Sequence, residues 1–372
     1  MVDRLASMPV LVCVLCSSLC AAADEGAKLP LGQDPRWSPD GGLVATSHRG
    51  FETLGLVVWE PATEKVRSFA LPSIPVRPPV WLSGDRVATM SHAADGQEPQ
   101  RTHAVYVADL TDGSVRRTAG AGEHGIGEMA ASPDGTRMVL SGSKFVHDAE
   151  KVIMPDGRTA AQWGAKTVGG DSGLWLLDVE AAVSTPLAQE DGASDIGPAF
   201  SPDGARVLFT RMTEVVLAEQ PPPKRNLAVV DLQTGQVTML TTDDVSHMGS
   251  WSPDGTRIAY FRVGNEPELW VMDADGGNAR AVKQGPIACP HPCAPAWWRP
   301  DGKYLAYESA GQLFAVPIEG VGLHRISGDL RLEHRYGFAI SPDGKRVAYG
   351  VAKDHDSVIQ IAQLQWPDKG EQ

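Results

Sequence analysis

Histidine is the residue type in this chain that is best suited to metal binding or to proton transfer near neutral pH. Ten histidines occur among the 372 residues. If they converge on a divalent metal, we expect His247, His291 and His334 to be the ligands, and His247, His334 and Arg335 are the catalytic candidates. No His-x-His or similar ligand pair occurs, so exposed loop histidines without a common site are the alternative. No other cofactor is indicated.

The segment Cys289-Pro290-His291-Pro292-Cys293 is the second place where residue types could do chemistry. The three other cysteines lie within the first 20 residues. In an oxidising compartment, two cysteines this close together predict a small disulfide between Cys289 and Cys293. A Cys-x-His-x-Cys metal site and a redox-active pair are the alternatives.

The elements that must position these side chains are copies of one repeated unit, most clearly seen in residues 249–262. Trp251 ends one strand, a Ser-Pro-Asp-Gly turn follows, and Ile258 and Tyr260 share one face of the next strand, which predicts a β-hairpin. In the turn, proline presets φ and glycine accepts a positive φ. Seven copies occur, with their turns at residues 38–41, 82–85, 132–135, 201–204, 252–255, 299–302 and 341–344.

The spacing of these copies predicts the architecture. Successive turns are 45, 49, 69, 51, 47 and 42 residues apart, close to the length of a four-stranded propeller blade. Short aliphatic and β-branched runs after each hairpin supply a third strand and, in most copies, a fourth. We therefore predict an all-β protein, a single seven-bladed β-propeller of four-stranded blades.

The two ends of the chain are expected to complete this ring. The last copy stops after its third strand, and residues 24–33 precede the first copy, so we predict that they form a strand completing the last blade. Such closure removes an exposed sheet edge. The predicted segments are a signal peptide at 1–23, the closing strand at 24–33, the propeller at 34–366 and a C-terminal tail at 367–372.

The N-terminal segment predicts export. Arg4 precedes an apolar run at residues 8–19, and Ala21-Ala22-Ala23 is an A-x-A cleavage site, so we expect cleavage between Ala23 and Asp24. The run is too short to span a bilayer, and no transmembrane segment is predicted. The mature protein is then periplasmic or secreted. A lipid anchor on an N-terminal cysteine is the alternative, although leucine precedes both Cys16 and Cys20 where a lipobox requires a small residue.

Strand order predicts where ligands bind. If all Ser-Pro-Asp-Gly turns lie on one rim, the loops entering first strands and those joining second to third strands gather on the opposite face. Nine of the ten histidines map to these loops and hence to that face, and His247 is expected on a loop that enters a first strand, as is Asp195. Two insertions map there as well, at residues 143–171 and 212–225, and long loops of this kind often serve as lids or docking edges.

Charge excludes some classes of partner. The chain has 33 basic and 46 acidic residues, and the net charge of −13 argues against a nucleic acid or an anionic membrane.

The Trp-Ser-Pro-Asp-Gly units followed by Arg-Ile-Ala-Tyr or Lys-Tyr-Leu-Ala-Tyr resemble the WD40-like (PD40) repeats of the TolB-type β-propeller family. The resemblance covers roughly residues 34–364. This chain differs from TolB itself, which has a separate domain before its propeller and six blades. The related oligogalacturonate lyases have seven blades and a histidine-rich metal site, so the resemblance also implies a lyase alternative. Propeller-containing serine peptidases are a poor match, because no G-x-S-x-G motif occurs.

Two functions remain open on the sequence alone. The first is a non-enzymatic scaffold that binds a protein or peptide through its loop-rich face, which is favoured by the absence of a catalytic signature. The second is a lyase or hydrolase acting on a saccharide at a histidine-rich metal centre in the channel mouth. The repeated residues belong to turns and cores and do not distinguish between the two.

Overall fold

The protein is built from antiparallel strands. The computed structural model describes residues 32–49, 54–73, 75, 77–92, 103–120, 125–143, 145–153, 159–167, 173–213, 223–264, 267–283, 287, 294–333, 336–353 and 356–367. Over these ranges the strands form the blades of a seven-bladed β-propeller, so the predicted fold class is confirmed. The described ranges contain no helix that is long and apolar enough to cross a membrane.

Blades 1 to 3 occupy the N-terminal half. Blade 1 consists of β1 (Gln33–Trp37), β2 (Val44–Arg49), β3 (Leu54–Glu60) and β4 (Lys65–Ala70). Blade 2 consists of β5 (Val80–Trp81), β6 (Arg86–His92), β7 (His103–Asp109) and β8 (Val115–Gly120). Blade 3 consists of β9 (Gly125–Ala131), β10 (Arg137–Ser143), β13 (Gly173–Asp178) and β14 (Val183–Gln189), interrupted by β11 (Phe145–Ile153) and β12 (Thr159–Thr167).

Blades 4 to 7 follow in order. Blade 4 consists of β15 (Ala193–Phe200), β16 (Arg206–Thr213), β17 (Lys224–Asp231) and β18 (Val237–Met239). Blade 5 consists of β19 (Ser246–Trp251), β20 (Arg257–Arg262), β21 (Glu268–Asp273) and β22 (Arg280–Lys283). Blade 6 consists of β23 (Trp297–Trp298), β24 (Tyr304–Ser309), β25 (Gln312–Pro317) and β26 (His324–Arg325). Blade 7 consists of β27 (Phe338–Ile340), β28 (Arg346–Lys353) and β29 (Asp356–Gln363).

The core lies between the blades. Ile258 and Tyr260 face blade 4, as the alternating pattern predicts, while Ala259 and Phe261 on the other face of β20 pack towards blade 6. Because both faces of this strand are covered, all four side chains are buried. A buried apolar cluster joins each neighbouring pair of blades, including blades 7 and 1, so the ring is closed by packing.

The repeated turns use their own side chains to hold their shape. In blade 5, the Ser252 hydroxyl donates to Asp254 Oδ1 at 2.6 Å, and the same oxygen accepts from the Thr256 amide at 3.0 Å. The pKa of Asp254 is lowered to about 2, and the hydrogen bond from Ser252 contributes most to this shift. Gly255 has φ of 70°, which an L residue rarely adopts. The turn carboxylates therefore stabilise the backbone of the hairpin.

Tryptophan and arginine side chains connect successive blades beside these turns. Trp37 donates its indole N–H to the carbonyl of Ala339 in blade 7 at 2.9 Å. Arg346 of blade 7 stacks on the Trp37 ring at 4.4 Å and donates to the Gly41 carbonyl at 2.8 Å. The same arrangement joins Arg257 of blade 5 to the turn and the tryptophan of blade 6. These tryptophans pack between blades.

The predicted closing strand lies mostly outside the described residues. Its described end, Gly32, donates its amide to the Ser357 carbonyl of β29 at 3.0 Å and accepts from the Ser357 hydroxyl at 2.7 Å. These two hydrogen bonds bring the chain alongside the third strand of blade 7, where a fourth strand is expected. The closing strand at 24–33 stays a prediction.

Both insertions leave second strands of neighbouring blades. The first contains the antiparallel hairpin of β11 and β12, between β10 and β13 of blade 3. The second joins β16 to β17 in blade 4, and its residues 214–222 lie outside the described ranges. Because each second strand starts at a Ser-Pro-Asp-Gly turn, both insertions emerge on the opposite face. We call that face the ligand face, and the face with the turns the turn face.

Candidate binding site

His247 is buried on the innermost strand of blade 5. We predicted it on a loop entering the blade, but it lies within β19 and is 6% exposed. Its Nδ1 is 3.2 Å from the Phe261 carbonyl oxygen, and its ring is tilted against the Phe261 ring. Met248 has φ of 55°, and the pairing register shifts between His247 and Ser250. This β-bulge extends the strand beyond the predicted start, which is why the loop placement was wrong.

Other histidines share the ligand face by strand position. His48 lies in β2 near its C-terminal end, and His92 ends β6 opposite His103, the first residue of β7. The predicted ligands His291 and His334, with Arg335, lie outside the described residues, as do Cys289 and Cys293. The metal site and the disulfide therefore stay predictions. Among the residues that the structure describes, no three His, Cys, Asp or Glu side chains are grouped to hold a metal.

The most strongly buried charges of the described chain belong to blade 4. Asp195 of β15 and Arg211 of β16 face each other across the ladder, with side chains 0% and 7% exposed. Arg211 donates from Nε and Nη2 to the two carboxylate oxygens of Asp195, both at 2.8 Å. This bidentate arrangement satisfies both oxygens and fixes the guanidinium plane, which also lies over the Phe209 ring.

Burial and ion pairing shift the pKa of Asp195 in opposite directions. Burial raises the pKa of Asp195, and the hydrogen bonds and charge of Arg211 oppose that rise. The hydrogen bonds to Asp195 raise the pKa of Arg211. The guanidinium therefore stays charged, and the ionised form of Asp195 depends on it.

Glu190 connects this ion pair to the surface. It lies just after β14 of blade 3, and its carboxylate Oε2 accepts a hydrogen bond from Arg211 Nη1. The Glu190 side chain is 53% exposed, so one end of the three-residue cluster reaches solvent. Because Glu190 lies in the connection between β14 and β15, the cluster sits where the chain passes from blade 3 to blade 4.

A cavity of about 360 Å³ opens beside this cluster. It combines charged and polar groups with apolar ones, and its lining residues are Glu190, Arg211, Thr213, Asn226, Val237 and Met239. Thr213 ends β16, so the second insertion leaves the blade at the cavity wall. We call this cavity the blade 3–4 cleft. A mixed lining of this kind suits recognition of a polar chain with apolar side groups.

Blade 5 carries a related but more exposed ion pair. Arg262 occupies the same repeat position as Arg211, ten residues after the turn serine. Ser246 stands opposite it instead of an aspartate, and Arg262 Nε pairs with Asp243 at 2.8 Å. These two side chains are 31% and 27% exposed. The buried aspartate therefore distinguishes blade 4 from its neighbour.

Sequence reasoning identified only part of this site. Asp195 was placed on the ligand face, but Arg211, Glu190 and Asn226 were missed. A signal for Arg211 existed, because it is a charged residue near the end of a largely apolar second strand. Glu190 had no such signal, since it lies in the connection between β14 and β15, outside any strand.

The relatives by sequence match only parts of the chain. No family model matches it. The uncharacterized peptidase YuxL of Bacillus subtilis (strain 168) is 29% identical over 111 residues, which cover 29% of this chain and 16% of that protein. The uncharacterized protein Atu1656 of Agrobacterium fabrum is 26% identical over 171 residues, covering 41% and 52%. The chain spans about half or less of the length of these curated relatives.

Similar solved structures are β-propellers. An oligogalacturonate lyase in complex with manganese has a TM-score of 0.56 at 15% identity, covering 77% of this chain and 78% of that one. The β-propeller domain of the Trilobed protease from Pyrococcus furiosus has a TM-score of 0.55 at 16% identity, covering 93% and 95%. TolB from Acinetobacter baumannii has a TM-score of 0.49 at 16% identity, covering 88% and 75%. The first two likenesses show the fold, and membership of the PD40 repeat family stays a prediction.

Proposed function

We propose that this chain is an exported scaffold that binds a protein or peptide on its ligand face, at the blade 3–4 cleft. The observation that carries the proposal is the position of this cleft. It opens beside Thr213, where the second insertion leaves β16, and Arg211 of the buried ion pair lines its wall. Rigid scaffolds commonly bind through loops of this kind. Export rests on the predicted signal peptide.

The lining of the cleft favours a partner with cationic and apolar groups. Glu190 uses Oε2 to accept from Arg211, which leaves Oε1 to accept from an incoming ammonium, guanidinium or amide. Met239 is 41% exposed beside it and offers a flexible apolar surface. The net charge of −13 would also attract a basic partner over longer distances.

An exposed sheet edge adds a way to hold an extended peptide. Within the described residues, β18 is the last strand of blade 4 and pairs only with β17. Its outer edge therefore presents backbone groups to which a peptide strand can add. Since Val237 and Met239 belong to β18 and line the cleft, such a peptide would place side chains against the cleft.

Photo-crosslinking tests this proposal. With a photoreactive residue at position 239, we expect one protein from the exported compartment to be captured, because that side chain borders the cleft. The matched control is position 66, which is 45% exposed on the outermost strand of blade 1. Adding Glu190→Gln should reduce capture at position 239, since it removes the charge offered to the partner. Equal capture at both positions, or none at position 239, would contradict the proposal.

A metal-dependent saccharide lyase is the second candidate. It is supported by the strand positions of His48, His92, His103 and His247, which bring four histidines to the ligand face. A metal held there would neutralise a uronate carboxylate and so acidify the proton on the α carbon, which a neighbouring base would remove. The glycosidic oxygen on the β carbon would then leave with its bonding electron pair, and a C=C bond would form in the sugar ring. Release of unsaturated uronides by the metal-loaded protein is the measurement that tests this candidate.

A further inference from the structure

A second cavity, apart from the blade 3–4 cleft, lies on the turn face. It has a volume of about 700 Å³ and lies where blade 5 meets blade 6. We call it the turn-face groove. Its lining includes two cationic side chains, two rings and two apolar residues, namely Arg257, Lys303, Tyr304, His324, Pro317 and Val321. Its volume falls within the range of small-molecule sites, about 300–1,000 Å³.

The charge in this groove is positive in an otherwise acidic protein. Glu319, which also lines it, is paired with Arg280 at 2.6 Å. Asp301 at its edge accepts two hydrogen bonds from Arg299, at 2.9 and 2.6 Å. Asp254, the acid near Arg257, is held within its own turn. Four cationic side chains, Arg257, Lys303, Arg280 and Arg299, therefore face these three carboxylates, and the balance of charge at the groove is positive.

The apolar part of the groove is organised around Tyr304. Arg299 stacks on one side of its ring at 4.1 Å, and the Trp366 and His324 rings meet it edge-on at 6.2 and 6.4 Å. These contacts fix the orientation of the ring. At the rim, Val321 is 98% exposed. A fully exposed valine beside a fixed aromatic ring offers surface to an apolar ligand.

We propose that the turn-face groove is a second binding site, for a small organic anion with an apolar body. Lys303 and Arg257 attract the anionic group, while Tyr304, Pro317 and Val321 contact the apolar body. Arg257 already donates to the Gly302 carbonyl and stacks on the Trp298 ring, so its position is set before a ligand arrives. The Lys303 side chain is exposed, so its ammonium group can move to meet the anionic group of the ligand. This site is separate from the ligand face and does not depend on the function proposed there.

Titration with 1-anilinonaphthalene-8-sulfonate tests the proposal, because this dye joins a sulfonate to an aromatic body. We expect saturable fluorescence enhancement with the wild-type protein. In Lys303→Glu, affinity should fall by about tenfold, because repulsion replaces attraction. The matched control is Lys345→Glu. Lys345 occupies the same turn position in blade 7. The backbone amide of each lysine donates a hydrogen bond of 3.0 Å to the aspartate of its own turn.

Two further readouts distinguish charge-dependent binding of the ligand from nonspecific hydrophobic binding. The neutral analogue N-phenyl-1-naphthylamine should bind wild type and Lys303→Glu alike, since it lacks the anionic group. Near-UV circular dichroism shows that each variant keeps its native packing. The proposal is overturned if the wild type shows no saturable binding of the sulfonate, or if Lys303→Glu and Lys345→Glu change affinity equally.

Discussion

Replacing Asp195 with alanine is expected to lower the free energy of unfolding by about 3–5 kcal/mol, because the buried Arg211 would keep only the half-exposed Glu190 as a counter-charge. Arginine cannot relieve this cost by losing its proton. The Arg211 side chain is 7% exposed, so water has little access to it. Denaturant unfolding of the purified variant, compared with the wild type, measures the loss.

The equivalent pair in blade 5 provides the control. Asp243→Asn removes the charge opposite Arg262 but keeps an oxygen that can accept from the Val245 and Ser246 amides. It should cost only about 0–1 kcal/mol, because both members of the ion pair are partly solvated. Similar losses for Asp195→Ala and Asp243→Asn would show that burial does not strengthen the blade 4 pair.

The free energy of unfolding of the complementary variant Arg211→Met is expected to change with pH in a defined direction. Without the guanidinium, burial keeps the pKa of Asp195 above that of the unfolded chain. The contribution of Asp195 to stability is then fully present at low pH and is lost as the pH rises through the raised pKa. The deficit of Arg211→Met relative to wild type should therefore grow from acidic to neutral pH. A pH-independent deficit would mean that Asp195 stays ionised by other means.

The second large effect is expected where the ring closes. Trp37→Ala should lower the free energy of unfolding by about 3–5 kcal/mol, the usual range for a buried tryptophan. The Trp37 side chain packs between blades 1 and 7, and it supports Arg346, which reaches the Gly41 carbonyl. Losing the indole therefore weakens several contacts across the same interface. Denaturant unfolding followed by circular dichroism measures this change.

A milder substitution separates packing from hydrogen bonding at this interface. Trp37→Phe keeps an aromatic ring for Arg346 but removes the N–H that donates to Ala339. We expect it to cost clearly less than Trp37→Ala. If Trp37→Ala were nearly neutral, the interface between blades 7 and 1 would not be needed to hold the ring.

The seven-fold repeat makes the fold predictable from the sequence. The Ser-Pro-Asp-Gly turns act locally, through Ser252, Asp254 and Gly255 in the clearest copy, so their effect does not depend on distant residues. The alternation of Ile258 and Tyr260 likewise assigns the face of a strand correctly. Residues that contact each other within one hairpin are close together in the sequence, so a sequence pattern can predict their contacts.

The candidate site is harder to predict, because its contacts join residues that are further apart in the sequence. Glu190, in the connection between β14 and β15, meets Arg211 of β16 only once blade 4 has formed. His247 was misplaced for a different reason, since the bulge at Met248 changes the strand length without a clear sequence signal. Positive φ at a methionine is uncommon, and sequence patterns do not predict it.

The binding affinity of the purified protein for the partner captured at position 239 is the most direct test of the scaffold function. Isothermal titration calorimetry with that partner should show saturable binding. Met239→Lys should weaken it by about tenfold or more, because it repels a basic ligand and removes an apolar contact from the cleft. Lys303→Glu on the turn face should leave it unchanged. Unchanged binding to Met239→Lys would contradict the account, and release of unsaturated uronides by the metal-loaded protein would then favour the lyase.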